Sequence, residues 1–202
     1  MANRSRPHLG LTDGDRFWQQ LLAGNRLFAA GARRHPRQSV ARRCELAAGQ
    51  HPFAVVIGCS DSRVPPELVF GCGLGDLFVI RSAGQVLDVA GDGSIEYAVE
   101  HFGVGLVVVL GHTRCGALTA AVNGEKASGR LAPLLARLQP PVTAALTRPG
   151  DILENAIDEN VRQEVARLRR LEPLLAGLVA SGKLRVVGAR YDLQTGIVAP
   201  VE

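Results

Sequence analysis

The sequence predicts an α/β fold: a central, mainly parallel β-sheet of four to five strands flanked by helices, with an N-terminal helical arm. Three observations carry this. Short apolar runs at Phe53–Ile57, Leu77–Ile80 and Leu106–Leu110 each lead into a polar or glycine-bearing turn, the mark of a strand buried on both faces. Segments with helical spacing separate these runs, and alternation of strand and helix implies a parallel sheet covered on both sides. A chain of 202 residues with 47% hydrophobic content is compatible with one domain and a true core.

Taken in order, Thr12 and Asp13 can cap a helix that starts near Gly14 and ends around Gly31, with Phe17, Leu21, Leu22, Leu27 and Phe28 at roughly helical spacing. The pattern leaves open whether this helix packs on its own sheet or on a partner chain. A Pro- and Arg-rich linker follows, then a short helix over Arg42–Ala48 ended by Gly49. The first strand is Phe53–Gly58. Pro65-Pro66-Glu67 starts a helical turn through Phe70, and Gly71, Gly73 and Gly75 make a loop into the second strand, Leu77–Ile80. Gly93–Phe102 is a helix with Ile95, Ala98, Val99 and Phe102 on one face. Leu106–Leu110 is the third strand, and Cys115–Val122 is helical, with Ala117, Ala120 and Ala121 permitting close packing. Residues 123–150 carry Gly, Ser and Pro around a helix at Leu131–Leu138. Ile152–Leu171 is a long charged helix whose apolar stripe is Ile157, Val161, Val165 and Leu168. Pro173–Ala180 is a further helix, Leu184–Gly188 a fourth strand, and Tyr191–Gly196 a turn into a short last strand, Ile197–Val198. There is no internal repeat, no low-complexity tract and no Gly-x-Gly-x-x-Gly dinucleotide fingerprint. Residues 1–202 form a single domain, with 1–50 as helical arm and 51–202 as α/β core.

A net charge of +4 and a pI near 9.2 are too mild for a nucleic-acid-binding protein. The basic clusters Arg33-Arg34-His35-Pro36-Arg37 and Arg42-Arg43 read as a solvated loop or a surface that meets another subunit. Cys44, Cys59, Cys72 and Cys115 do not make the dense framework of a small secreted scaffold. The charged N-terminus is followed by no apolar segment, and the longest apolar run, Val104–Leu110, is far too short to span a bilayer. The expected setting is therefore cytoplasmic, without membrane insertion, with reduced thiols free to bind metal.

Chemistry concentrates in two loops. Ile57-Gly-Cys-Ser-Asp-Ser-Arg63 places a soft metal ligand (Cys59), a carboxylate (Asp61) and a guanidinium (Arg63) at the end of the first strand. Gly111-His-Thr-Arg-Cys-Gly116 places His112 and Cys115 at the end of the third. Sites in α/β proteins form where strands end at their carboxyl edge. Zinc favours thiolate and imidazole, and a catalytic site takes three protein ligands plus water. Taken alone, His-x-x-Cys is a weak signal, and buried cysteines are ordinarily small hydrophobes. Two loops of this kind, each directly after a buried strand, favour one zinc held by Cys59, His112 and Cys115. Cys72, in its Gly-rich segment, reads as a packed or free thiol. Arg63 can pair bidentately with Asp61, keeping it ionised and off the metal.

At these two loops the chain resembles the β-class carbonic anhydrases, whose signature motifs match Cys59-Ser-Asp-Ser-Arg63 and His112-Thr-Arg-Cys115-Gly116. The resemblance extends over nearly the whole chain through Ala23-Gly-Asn-Arg26, Phe78-Val-Ile-Arg81-Ser-Ala-Gly84, Ser94-Ile-Glu-Tyr-Ala-Val99 and Tyr191-Asp-Leu193. It implies zinc on Cys59, His112 and Cys115, and reversible hydration of CO2 to bicarbonate and a proton by zinc-bound hydroxide. It assigns Asp61 to orienting the hydroxide and Arg63 to holding Asp61. It implies an obligate homodimer or dimer-of-dimers with active sites at the interface. Gln50, Phe78 and Tyr97 match the family's substrate-pocket residues, a set that resembles the constitutively open, plant-like subgroup. The other subgroup carries tryptophan three residues before the first ligand, where this chain has Val56. Ser82 and Gln85 replace more usual asparagines, and Cys72 is unusual in its loop. His51 and His101 are candidate proton relays by composition only, set against a reading as ordinary surface histidines. Two rival functions share these motifs: hydrolysis of carbonyl sulfide or carbon disulfide, and a non-catalytic zinc module beside a bicarbonate transporter. Intact Asp61, Arg63 and pocket residues argue against the second.

Overall fold

The structure, a computed structural model, describes residues 13–32 and 36–202. Thr12, named above as a capping residue, and three members of the basic cluster, residues 33–35, lie outside the described residues.

Among the described residues five strands form one sheet in the order β2-β1-β3-β4-β5: β1 (Ala54–Cys59), β2 (Leu77–Ser82), β3 (Leu106–His112), β4 (Arg185–Tyr191) and β5 (Val198–Val201). The first four are mutually parallel, and β5 is antiparallel to β4. This is the expected mainly parallel sheet. β1 and β3 are buried along their whole length, as strands covered on both faces must be. Pro200 sits in β5 because that strand is an edge, where a missing N–H is tolerated.

Helices α1 (Asp13–Ala29) and α3 (Pro66–Val69) cover one face, packing Trp18, Leu21 and Val69 with neighbouring Phe70 against Val56, Val108 and Ala189. The other face carries α4 (Val89–Phe102), α5 (Gly116–Val122), α6 (Leu131–Arg137), α7 (Gln139–Ala145), α8 (Ile152–Leu168) and α9 (Leu175–Ala180). A short α2 (Val40–Leu46) is capped by Ser39, whose side chain accepts from Arg42 N–H. Asn25 ties α1 to the rest: its amide donates to Val69 O and Gly196 O, and its oxygen accepts from Val198 N–H at 2.8 Å.

Several boundaries differ from the sequence expectation for physical reasons. α4 starts at Val89, ahead of Gly93, because the Asp88 carboxylate caps it by accepting from Gly91 N–H. α7 went unforeseen because Pro140-Pro141 resembles a breaker; here the prolines occupy the first turn, where their missing N–H groups cost nothing. α8 stops at Leu168 rather than Leu171. β4 runs on through Tyr191, and β5 spans Val198–Val201 rather than Ile197–Val198.

The chain passes from β1 to one side, forms β2, and then crosses to β3 on the other side of β1. The order reverses between β1 and β3, which opens a crevice at their carboxyl ends. α8 lies tight under this region because two sheet residues are glycine. A Cβ at Gly111 would stand 2.7 Å from Val161 Cγ2, and one at Gly188 would stand 2.7 Å from Val161 Cγ1.

Candidate metal centre

Cys59 is the last residue of β1 and His112 the last of β3, so the two adjacent strands present them side by side. Cys115 follows three residues later, directly before α5. The loop between is pinned on β4: Thr113 N–H donates to Tyr191 O, and Leu193 N–H donates to Thr113 Oγ1 at 3.0 Å. Arg114 takes a left-handed backbone (φ 55°), which turns the chain sharply enough to return Cys115 to the site.

One potential ligand atom from each of Cys59, His112 and Cys115 lies within 4.8 Å of the others, and all three residues are buried. The imidazole is committed at one end only. His112 Nδ1–H donates to Thr113 O at 2.9 Å, which leaves the lone pair on Nε2. That Nε2 is buried with no hydrogen-bond partner among the described residues. Burying an unsatisfied nitrogen costs about 1–3 kcal/mol, and two sulfurs are poor compensation. A soft divalent cation satisfies all three atoms, so the donor set fits zinc.

The surroundings favour an anionic Cys59. A hydrogen bond from Cys115 is the main cause, opposed by burial and aided by the N–H groups of Asp61 and Gly84; together they lower the Cys59 thiol well below its ordinary range. The N–H bonds measure 3.4 Å from Asp61 and 3.3 Å from Gly84. Cys115 is pushed upward because it donates to Cys59 and is buried, while the N–H groups of Leu118 and Ala117 at the start of α5 oppose that rise. Metal binding requires both cysteines as thiolates, so a cation held here would displace their protons.

Asp61 stands at the mouth of this cluster, with Oδ2 4.0 Å from His112 Nε2. Arg63 takes both its oxygens, Nε to Oδ1 at 2.9 Å and Nη2 to Oδ2 at 2.6 Å, and its backbone N–H adds a bond to Oδ1. Chiefly through the Arg63 side chain, the Asp61 carboxyl is held down to about 2. Arg81, whose role no side-chain pattern in the sequence indicates, grips the same loop from β2. Its Nε donates to Cys59 O at 2.9 Å and its Nη2 to Asp61 O at 2.6 Å.

The fold therefore brings five of the eight expected site residues together. The other three stand apart within one chain. Phe78 pairs with Val55 in the sheet, four positions down from the Cys59–Ser82 pair, or about 13 Å along the strand. Phe78 packs on Tyr97 (6.3 Å) and Phe102 (6.1 Å) of α4. Tyr97 is 47% exposed. Gln50 is exposed ahead of β1. His51 is also exposed, and His101 stacks on Tyr97 at 4.3 Å on the same outer surface. Cys72 is buried away from the cluster, in the core beneath α1 and α3.

Residues 54–198 match the sequence profile of the carbonic anhydrase family. A relative from Mycobacterium tuberculosis, carbonic anhydrase 2, is 42% identical over 183 residues, covering 89% of this chain and 88% of its own. A carbonic anhydrase of Mycolicibacterium smegmatis is 40% identical over 185 residues, covering 90% of each. Among solved structures, a tetrameric β-carbonic anhydrase from the ascomycete Sordaria macrospora superposes with a TM-score of 0.74 at 27% identity, covering 92% of this chain and 97% of its own. A β-carbonic anhydrase of Aspergillus fumigatus gives a TM-score of 0.70 at 31% identity, covering 92% and 91%.

Proposed function

The chain belongs to the β class of the carbonic anhydrase family, and on that premise we propose that Cys59, His112 and Cys115 hold one zinc ion with which it interconverts CO2 and bicarbonate. The single observation that carries the metal assignment is His112 Nε2, a buried lone pair with no hydrogen-bond partner among the described residues, in a group with two sulfurs. Among the described residues the cluster has three donors, the count of a catalytic zinc site. When bound, zinc supplies a Lewis acid that brings the pKa of water to about 7.

The chain's own residues do the rest. Asp61, ionised and acceptor-only, takes a hydrogen bond from the attacking water and so turns its lone pair toward the carbon of CO2. Arg63 fixes the direction of both Asp61 oxygens. Arg81 fixes the backbone on either side of Ser60, so the carboxylate cannot drift without breaking two further bonds.

Phe78, Tyr97 and Gln50 complete the pocket when a second copy brings its own Phe78–Tyr97 surface against the mouth of the site. The distance along β1 within one chain and the exposure of Tyr97 support this, and Val89 on the same helix is 89% exposed. The assembly is thus a homodimer or dimer-of-dimers. Val56 before Cys59 and the doubly held Asp61 support membership of the open-site, plant-like subgroup. Among the described residues no helix is long and apolar enough to cross a membrane. Thiolate ligands suit the reducing cytoplasm, where we place the protein.

The reading is tested by metal analysis and by hydration assays together. One zinc per chain, lost in Cys59→Ser along with CO2 hydration, supports it. A Cys59→Ser protein that retains zinc and rate overturns the ligand assignment, and a zinc-loaded protein that hydrolyses carbonyl sulfide but does not hydrate CO2 overturns the substrate.

A further inference from the structure

We infer that Asn160, on α8 and outside the two signature loops, is a positioning residue for the Cys59 sulfur; the inference rests on Cys59 being a zinc ligand. The connection has two links. Asn160 Nδ2 donates to Gly84 O at 2.9 Å, and Gly84 N–H donates to Cys59 Sγ at 3.3 Å. Both links pass through one residue whose conformation is unusual. Gly84 has a left-handed backbone (φ 63°) inside the short 3₁₀ turn Ala83–Gln85, and Gln85 after it is also left-handed (φ 47°). Two successive left-handed residues, one of them not glycine, are costly unless something holds them. Asn160 holds the first of them from α8: its bond to the Gly84 carbonyl sets the tilt of the peptide and so aims the Gly84 N–H at the sulfur.

The anchor is rigid. Val161, the next residue on α8, fills the notch left by Gly111 and Gly188, with 2.7 Å from its methyl groups to where a Cβ would stand on each. Gly111 immediately precedes His112. One turn of α8 therefore registers both halves of the site, β3 through Val161 and the Cys59 sulfur through Asn160. The turn also closes from the other side, since a Cβ on Gly84 would stand 3.1 Å from Leu138 and 3.3 Å from Ala117. A donor aimed at a thiolate withdraws charge from sulfur, stabilises the deprotonated ligand and fixes its direction. Partners bonded directly to a ligand are worth about 10- to 100-fold in metal affinity or activity, and Asn160, acting through Gly84, should carry about the lower end of that range.

The test uses the full chain loaded with zinc or cobalt. Asn160→Asp keeps the shape but replaces the donor with an acceptor facing the Gly84 carbonyl, and Asn160→Ala removes the contact. Two quantities are read: zinc affinity by chelator competition, and the energy of the sulfur-to-cobalt charge-transfer band. The band is read on the folded, metal-loaded fraction only, so a loss of stability cannot mimic the result. About 10-fold weaker zinc binding and a displaced band are expected in both variants, with Asn160→Gln recovering part of the shift. Wild-type affinity and an unmoved band in both variants overturn it. A natural chain that shows no sulfur-to-cobalt band overturns the ligand reading itself, which is a separate outcome.

Discussion

Arg63 grips Asp61 through both carboxylate oxygens, at 2.9 Å and 2.6 Å, while one of those oxygens stands 4.0 Å from His112 Nε2. The carboxylate is thereby kept beside the ligand cluster and ionised. Asp61→Asn should retain zinc and fold, yet lose about 100-fold in CO2 hydration, the low end for a group positioned to act on the proton of the attacking water. Metal content by mass spectrometry and stopped-flow turnover decide it. An unchanged rate removes Asp61 from the mechanism.

Gly111 and Gly188 are glycine because Val161 occupies the space a side chain would need. Gly111→Ala should cost about 1–3 kcal/mol through overpacking, seen as a fall of several degrees in thermal midpoint. Adding Val161→Ala should return much of the loss. If the double variant is no better than the single one, the steric account of α8 docking is wrong.

Cys72 and Cys44 should behave oppositely toward thiol reagents. Burial, with Asp76 adding to it, pushes the Cys72 thiol up to about 12, whereas Cys44 is exposed. At about pH 8 one thiol per zinc-loaded chain should react quickly, and Cys44→Ser should abolish that phase. The same shift sets a stability window. Between the ordinary 9.0 and about 12 the unfolded chain releases a proton that the folded chain retains, so Cys72 lowers stability as pH rises through that range. Cys72→Ala should weaken this alkaline loss, measured by denaturant titration at several pH values. Rapid labelling of Cys72 in the native protein contradicts the account.

Asn25 makes three side-chain hydrogen bonds, all to backbone: it donates to Val69 O and Gly196 O and accepts from Val198 N–H. Asn25→Ala leaves buried groups unpaired and should cost about 1–3 kcal/mol or more. Hydrogen exchange should quicken first at the Val198 amide, where β5 begins. Exchange that quickens uniformly instead would place the contribution of Asn25 elsewhere.

What the sequence made legible follows from how local each signal is. Cys59, Asp61 and Arg63 lie within five residues at one strand end, and His112 and Cys115 within four at another. Two strand-end signals sufficed to group them, because a parallel sheet brings carboxyl ends to one edge. Asn160 left no such trace, since its partner Gly84 is 76 residues distant and the residue sits among charged neighbours on α8. Arg81 was visible as part of a motif, but its two bonds run to backbone carbonyls, which side-chain patterns do not announce. α7 was hidden by Pro140-Pro141, and the antiparallel sense of β5 depends on the Asp192–Thr195 turn, where Asp192 Oδ1 accepts from three groups. Phe78 and Tyr97 entered through resemblance alone, and nothing in their own neighbourhood points to Cys59.

The most direct test of the whole account is stopped-flow CO2 hydration by the zinc-loaded protein between about pH 6.5 and about pH 9, spanning the titration of metal-activated water. Turnover should be fast, strengthen as pH rises through about 7, and be lost in Cys59→Ser. A zinc-loaded protein with no CO2 hydration anywhere in that range would contradict the account.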